Sequence, residues 1–391
     1  MRDSPFSVFL IFLRLGLTSF GGPIAHLGYF RNEFVERRKW LTEPAYADLV
    51  ALCQLLPGPA SSQVGIALGL TRSGYAGAIA AWIGFTAPSA IALILFGLVV
   101  TRFGVGMGAE WLHGLKVVAV AVVAQALWAM GRTLCPDPIR ATVAVLAACI
   151  ATALPNAYGQ VGIILAGAMV GVWFLQAAPS ALDAFPASNV SRNAGIGAIA
   201  LFLALLAGLP FLAQASGQYV AQLFDVFFRV GSIVFGGGHV VLPLLQTEVV
   251  PRGWVSNNLF LAGYGATQAV PGPLFTFAAY IGSVSSHMPN GWLGGLIAVA
   301  AIFLPSFLLV CGALPFLEAL RRHPHARKAL AGINAAVVGL LLAAFYNPVW
   351  TSAILRPGDF CLAAAAFLLL AFWKWPPWLV VVLTAITATM L

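Results

Sequence analysis

Two arginines and four breaks rich in glycine or proline stand at matching places in this sequence, with a histidine after each first break, and together they have the makings of an anion site. Arg14 leads into Phe20-Gly21-Gly22-Pro23 and His26, and Arg229 leads into Phe235-Gly236-Gly237-Gly238 and His239. Each arginine lies two helical turns before its glycine pair, so Arg14 shares a face with Thr18 and Gly21, and Arg229 with Gly236. A second duplicated break follows, Gln54 with Pro57-Gly58-Pro59 and Gln268 with Pro271-Gly272-Pro273. Proline suits the first helical position, where its missing N–H is not needed, so Pro23, Pro59 and Pro273 mark the starts of short helices. The first turn of a helix offers unpaired N–H groups and the positive end of its dipole, a natural seat for an oxyanion. Ser61, Ser62 and Thr276 follow the second breaks and add hydroxyl donors. The expected site is where these four helix starts converge, with Arg14 and Arg229 offsetting the charge of a dianion.

Each feature has a plainer reading. Gly-Gly and Pro-Gly-Pro also serve as kinks or close-packing points in membrane helices. The two arginines can snorkel or bind carbonyls at a helix end. His26 and His239 are not strict equivalents, and either reads as a packed core histidine or as a ligand. Glu33 and Glu248 match between the copies and sit near Arg37, Arg38 and Arg252, where an ion pair and a proton-coupling role are both open. Asp48 and Asp225 have no duplicates.

The solvent is settled by composition. Charged residues make up 8% of the 391 residues and apolar ones 61%, against about 25% charged in soluble domains. A soluble chain could not cover its surface with so few. Several apolar runs reach the roughly 20 residues that span about 30 Å of hydrocarbon. This reads as an all-α polytopic membrane protein. The net charge of +8 belongs to loops beside membrane segments and is no nucleic-acid signature. Five scattered cysteines imply neither a disulfide framework nor a metal site, and Arg14 interrupts the first apolar run too early for a signal peptide.

The expected order is a broken pair at 6–35 and 45–70, then plain helices near 76–100, 114–130, 139–154 and 159–177. A polar linker at 178–194 and an extra helix near 195–212 follow. A second broken pair at 217–250 and 259–283 precedes helices near 291–317, 328–346, 360–373 and 377–391. Phe9, Phe12, Arg14 and Gly16 align with Phe224, Phe227, Arg229 and Gly231, and Pro88-Ser89 aligns with Pro305-Ser306. The chain therefore divides into a first transporter repeat (1–177), a linker with a connecting helix (178–216) and a second repeat (217–391). Paired interrupted helices in two copies are the mark of a secondary transporter with its site between the repeats. If both broken elements of each half are re-entrant hairpins, Lys and Arg, including Arg31, Arg37, Arg38, Lys39, Arg321, Arg322, Arg327 and Lys328, gather best on one side. An odd number of crossings then separates the repeats, which are inverted. If only the first element of each half re-enters, the charge bias is nearly as good and the repeats are parallel.

Catalytic and cofactor signatures do not appear. There is no H-E-x-x-H, G-x-S-x-G or phosphate-binding loop, and the glycine runs lack the strand a dinucleotide fold needs. No cofactor, metal or nucleic acid is expected, and the partners are an oxyanion and the lipid bilayer. A passive anion channel and a membrane enzyme are the other classes open. Counterflow would separate carrier from channel, and an altered product would mark an enzyme.

At Phe20 to His26, Gln54 to Pro59, Phe235 to His239 and Gln268 to Pro273 the sequence resembles the chromate ion transporter family in its long two-domain form. The likeness covers nearly the whole chain. It implies a bacterial inner-membrane carrier that exports chromate, with sulfate as the close chemical analogue, and separate single-domain members that act in pairs. Gly238 stands where the first copy has Pro23, so the two half-sites need not contribute equally. Export of an anion from a negative interior is electrically favoured. Pairing of two chains as a homodimer stays open.

Overall fold

In a computed structural model, residues 3–19, 22–103, 109–154, 157–176, 190–235, 240–316 and 324–389 are described. Among them every regular element is helical, as 61% apolar residues and the lack of alternating polarity require. Phe20, Gly21, Gly236, Gly237, Gly238 and His239, with most of the expected linker, lie outside the described residues.

The first half opens with α1 (Pro5–Thr18) and α2 (Gly22–Arg31), the latter extended by a wider π turn over Asn32–Arg37. Next come α3 (Glu43–Leu55) and α4 (Ala60–Phe103). Then follow α5 (Ala109–Leu134), α6 (Pro138–Ala153), α7 (Ala157–Phe174) and the connecting α8 (Arg192–Ser216). The second half repeats the pattern with α9 (Tyr219–Ile233), α10 (Val241–Val249), α11 (Asn257–Thr267), α12 (Phe277–Val284) and α13 (Gly291–Ala313). It closes with α14 (Pro324–Ala344), α15 (Pro357–Ala371) and α16 (Pro377–Ala388). Among the described residues five helical stretches are long and apolar enough to cross a membrane: Ala60–Arg102, His113–Leu134, Arg192–Ser216, Gly291–Phe316 and Pro324–Ala353. This is a multi-pass membrane protein.

The 44 residues of α4 are not one rod, which would run about 66 Å at 1.5 Å per residue. Ser73 and Gly74 leave helical geometry, Gly74 with φ +63°. A Cβ at Gly69 would overlap the Gly77 carbonyl and sit 2.9 Å from Ala81, although residues eight apart on a straight helix lie about 12 Å apart. So the inner arm (60–72) folds back against the outer arm (75–103). In the second half α12 and α13 make the same turn, with Gly282 closing on the Gly294 carbonyl.

The paired short helices also lie side by side. Phe12 of α1 meets Phe30 and Phe34 beyond the first break, at ring separations of 5.6 and 5.2 Å. Tyr219 at the start of α9 meets Trp254 beyond α10 at 5.0 Å. Tyr280 of α12 donates its hydroxyl to the Leu259 carbonyl of α11 at 2.9 Å. α3 and α11 start alike, with the hydroxyls of Thr42 and Ser256 accepting from the amides of Ala45 and Leu259, which supplies a partner for a first-turn N–H.

Three buried clusters result, and the long helices exchange between two of them, a first-half core on α1 to α3 with the inner arm and a second-half core on α9 to α14 that also takes in residues of α5 to α7. Ala78, Ala81 and Phe85 of the outer arm pack in the first-half core with α1 to α3, yet Ala90, Leu93 and Ile94 pack in the second-half core. α13 does the converse: Ala298 to Phe303 belong to the second-half core, and Val310 and Ala313 to the first. The changeover falls at the helix-interior prolines, Pro88 and Pro305, whose missing N–H and ring bulk bend a helix. Small residues allow the contacts: a Cβ at Gly16 would lie 2.8 Å from the Phe85 carbonyl oxygen, and one at Gly231 would overlap that of Ile302.

Gly231→Val should therefore overpack the α9–α13 contact and lower stability by about 1–3 kcal/mol. Gly162→Ala in α7, where an added Cβ meets nothing within 4 Å, should be neutral or stabilise by up to about 1 kcal/mol. Thermal unfolding of the two variants in detergent decides it, and equal midpoints would refute the packing described.

Candidate functional site

The four breaks do converge as far as they are described. The Gly58 amide donates to the Val234 carbonyl at 2.7 Å, and the Gly272 amide donates to the Ser19 carbonyl at 2.9 Å. Ser19 and Val234 are equivalent residues, each just before a Phe-Gly-Gly break, and Gly58 and Gly272 are the centres of the Pro-Gly-Pro breaks. Each half's second break thus closes on the other half's first break. Gly58 and Gly272 take φ of +121° and +108°, values that only glycine adopts without strain.

The kinked long helices complete the closure. A Cβ at Gly58 would sit 2.6 Å from Ser306 Oγ and 2.7 Å from Gln63 Nε2, and one at Gly272 would sit 2.8 Å from Ser89 Oγ. Ser89 and Ser306 follow the two kink prolines, so this contact is also exchanged between the halves.

Helix starts differ from expectation in detail. Pro23 is the second residue of α2. Pro59 precedes the first helical residue of α4, with its carbonyl accepting from Gln63 N. Pro273 caps a single 3-10 turn, Leu274–Thr276, ahead of α12. Both first-half breaks open directly into α-helices, α2 and α4, whereas after Pro273 in the second half the tighter 3-10 turn intervenes.

His26 is wholly buried and ties the first half's breaks together. Its Nε2 lies 3.2 Å from the Ser19 carbonyl, which can only accept, so Nε2 carries the proton and Nδ1 accepts from the Ser61 hydroxyl at 3.3 Å. Thr276 donates its hydroxyl to the Pro273 carbonyl at 2.6 Å. Of the three hydroxyls expected to serve a ligand, Ser61 and Thr276 are engaged and Ser62 Oγ has no partner.

Ser62 has company. Among the described residues ten buried side-chain polar atoms have no hydrogen-bond partner, and six of them, Ser19 Oγ, Ser62 Oγ, Gln63 Oε1, Thr86 Oγ1, Gln268 Nε2 and Ser306 Oγ, belong to the breaks or to the turns around Pro88 and Pro305. The other four, Trp82 Nε1, Arg140 Nε, Arg327 Nε and Asn334 Oδ1, lie on other parts of the helices. Buried polar groups are paired in the great majority of cases, and each one left open costs about 1–3 kcal/mol. A cluster at one meeting point is the pattern of a site that a polar ligand completes. Sequence reading singled out Ser62 alone. The duplicated Pro-Ser pairs at 88–89 and 305–306 were the signal for Ser89 and Ser306, whereas nothing in the pattern marked Ser19, Gln63 or Thr86.

The arginines stand elsewhere. Arg229 bonds both oxygens of Asp225, at 3.0 and 3.1 Å, and Glu248 at 3.0 Å, while Arg252 holds the other oxygen of Glu248 at 2.8 Å. Asp225 and Glu248 are both 5% exposed. Two carboxylates thus neutralise the two cations of this network. Arg14 is exposed and has no ion-pair partner among the described residues. Glu33 pairs with Arg37 at 3.0 Å and Arg38 at 2.5 Å, repeating the Glu248–Arg252 pair. The expected arginine pair over the breaks is replaced by one structural network and one exposed side chain. Stretches 18–26, 56–63, 234–240 and 268–276 hold no Lys, Arg, Asp or Glu, so the break segments themselves carry neither a carboxylate nor a Lys or Arg side chain.

Arg229→Gln should destabilise the protein by about 3 kcal/mol or more, because it strands the buried carboxylate of Asp225 and takes one of the two partners of Glu248. Arg14→Gln should change stability by less than about 0.5 kcal/mol. Denaturant or thermal unfolding in detergent checks this, and equal losses would contradict the asymmetry.

A family model described as chromate transporter matches residues 6–172 and 221–389. The chain is 27% identical over 339 residues to the chromate transport protein of Pseudomonas aeruginosa, covering 85% of this chain and 78% of that protein. It is 26% identical over 345 residues to the chromate transport protein of Cupriavidus metallidurans, covering 86% and 80%. An uncharacterized transporter of Bacillus subtilis is 33% identical over 122 residues, 31% of this chain and 66% of that protein. No solved structure matches the chain. Two matches of one family model account for nearly all of the polypeptide outside the connecting region, and the chain belongs to the chromate transporter family.

Proposed function

We propose that the chain is a secondary carrier that exports a tetrahedral oxyanion, chromate in the first place with sulfate as its analogue, across a bacterial inner membrane. The observation that carries this reading is the uncharged cluster of unpartnered polar atoms where the breaks of both halves close on each other. Substrate would bind among Gly22, Pro23, His26, Pro57, Gly58, Pro59, Ser61, Ser62, Pro271, Gly272, Pro273 and Thr276. We add Ser19, Gln63, Thr86, Ser306 and Gln268, whose buried polar atoms have no hydrogen-bond partner. Gly21 and 236–239 belong to the same breaks by sequence.

In this reading the side-by-side pairs α1–α2, α3–inner arm, α9–α10 and α11–α12 enter the membrane and return. The outer arm and α5 to α8 then cross between the two repeats, 1–177 and 217–391. Five crossings place α1 and α9 at opposite faces, so the repeats are inverted. Exposed backbone cannot face lipid, and the reciprocal Gly58 and Gly272 bonds bury the four breaks against one another. Alternating access follows if the hairpins of one half rock against those of the other while the kinked outer arm and α13 act as hinges. Glu33 and Glu248, both paired with arginine, take part in holding the hairpin ends in this scheme.

Reconstituted protein should show saturable chromate flux that sulfate inhibits and that chromate on the opposite side accelerates. Ser62→Ala and Ser306→Ala should each weaken apparent affinity by about 5–30-fold, the worth of a buried hydrogen bond of about 1–2 kcal/mol. Flux linear in substrate, with no acceleration by trans substrate, would favour a channel over a carrier.

A further inference from the structure

We propose that a cavity between α6, α7, α10 and α14 binds a monovalent cation, sodium by size, and that this cation couples to transport. Its residues are separate from the breaks, so the site stands apart from the oxyanion reading and only the coupling rests on it. The cavity holds about 90 Å³, room for an ion and a few waters at about 10–15 Å³ each. Gln160, Gln246 and Thr247 line its deeper part, and Thr152 and Asn347, both exposed, line its mouth. Among the described residues no charged side chain lines it, and the rest of the wall is Ala, Leu and Pro. Gln160 is the sole side-chain amide of α7 and is buried. A buried amide in an apolar helix is costly unless both its oxygen and its nitrogen are used.

The hydrogens of these groups are largely committed to protein oxygens, and their own oxygens are left for a ligand. Thr152 donates its hydroxyl to the Ala148 carbonyl at 2.8 Å, and Thr247 donates to the Pro243 or Leu244 carbonyl, both at 3.1 Å. A hydroxyl has one hydrogen, so both threonine oxygens keep lone pairs free. Gln246 donates from Nε2 to Asn257 Oδ1 at 2.7 Å. The Pro243 carbonyl only accepts, so Gln160 turns Nε2 to it at 3.4 Å and Oε1 to Thr247. Thr247 Oγ1 and Gln160 Oε1 stand 3.4 Å apart, beyond the usual hydrogen-bond limit of about 3.2 Å. Two oxygens at right angles around a cation with bonds of about 2.4 Å, the length sodium makes, lie about 3.4 Å apart, whereas larger potassium would spread them to about 4 Å. A divalent ion calls for carboxylates to offset its charge, and the lining has none. An anion would find only the second N–H of each glutamine.

The ligands bridge α10, a hairpin helix of the second half, to α6 and α7 of the first repeat and to the end of α14. Asn347 leaves helical geometry, with φ −136° and ψ 117°, and interrupted helices with free oxygens are where carriers hold coupling cations. A bound ion holds the α10 hairpin against the plain helices, and its departure frees the hairpin to rock. The ligands are neutral and fall on four separate segments, so no spacing motif marks them in the sequence, from which no metal is expected.

The test is equilibrium binding of radioactive sodium to purified wild-type protein in detergent, with choline holding the ionic strength, beside thermal unfolding in sodium, potassium and choline chloride. Sodium should bind saturably and raise the unfolding midpoint, choline should do neither, and potassium should compete more weakly than sodium. Gln160→Leu and Thr247→Val replace a polar end by an apolar one of similar shape, and each should weaken sodium binding about tenfold or more. If a variant fails to fold, the comparison of sodium with choline on the wild type decides alone. Chromate flux into liposomes should be several-fold faster in sodium than in choline. No saturable sodium binding, or equal midpoint shifts in all three chlorides, would overturn the site. Unchanged binding in both variants would overturn this set of ligands. Sodium binding with equal chromate flux in choline would overturn the coupling. Sodium binding with no chromate flux in either salt would tell against the oxyanion reading and leave the cation site standing.

Discussion

Two backbone hydrogen bonds, Gly58 to Val234 and Gly272 to Ser19, hold the four breaks in one place. Non-helical backbone deep in an apolar protein has no water to satisfy it, and each polar group left open there costs several kcal/mol. A break in one half therefore needs a partner, and the nearest equivalent partner is the break of the other half. Duplication supplies that partner by construction, because whatever the first copy lacks the second copy presents. The left-handed backbone at Gly58 and Gly272 aims each amide across the interface, and a side chain at either place would strike Ser306 or Ser89.

The rest of the architecture follows from making those bonds. The outer arm of α4 and α13 each start in their own half's core and finish in the other's, changing sides at Pro88 and Pro305. Such an exchange leaves neither half able to bury its hairpins alone. In lipid there is little hydrophobic drive between helices, so close packing must supply the cohesion. Gly16, Gly69, Gly231 and Gly282 all bring backbone against backbone. Trp82 adds a cross-half aromatic contact, 5.8 Å from Phe303 and 5.5 Å from Phe307.

Much of this was legible in the residues. The breaks, their duplication and the placement of nearly every plain helix came from glycine, proline and apolar run length, since those features act locally. The turn at Ser73–Gly74 was hinted at only by the end of the expected segment at residue 70, because one glycine among many carries little weight. The arginines show the limit. Arg14 and Arg229 occupy equivalent positions, and equivalence suggested a common role. Their surroundings differ in one carboxylate that matters: Asp225 on α9 stands where the first half has Leu10, which is exposed. That single carboxylate, four residues from Arg229, draws the guanidinium into a network with Glu248. Helix-start chemistry could be read from sequence because it is a backbone property, whereas side-chain partners depend on which neighbours folding brings within about 3 Å.

Break segments without Lys, Arg, Asp or Glu, with the charges held two turns away, make electrostatic sense for a carrier. A cation touching the ligand would strengthen binding equally on both faces of the membrane and slow release. Hydroxyls, amides and helix starts bind an oxyanion by geometry, with bonds that can be exchanged for water as the site opens. The paired charges of Asp225, Arg229, Glu248 and Arg252 sum to zero, so they fix α9 to α10 without adding a long-range field. Selectivity must then come from shape and from the match of donors to acceptors.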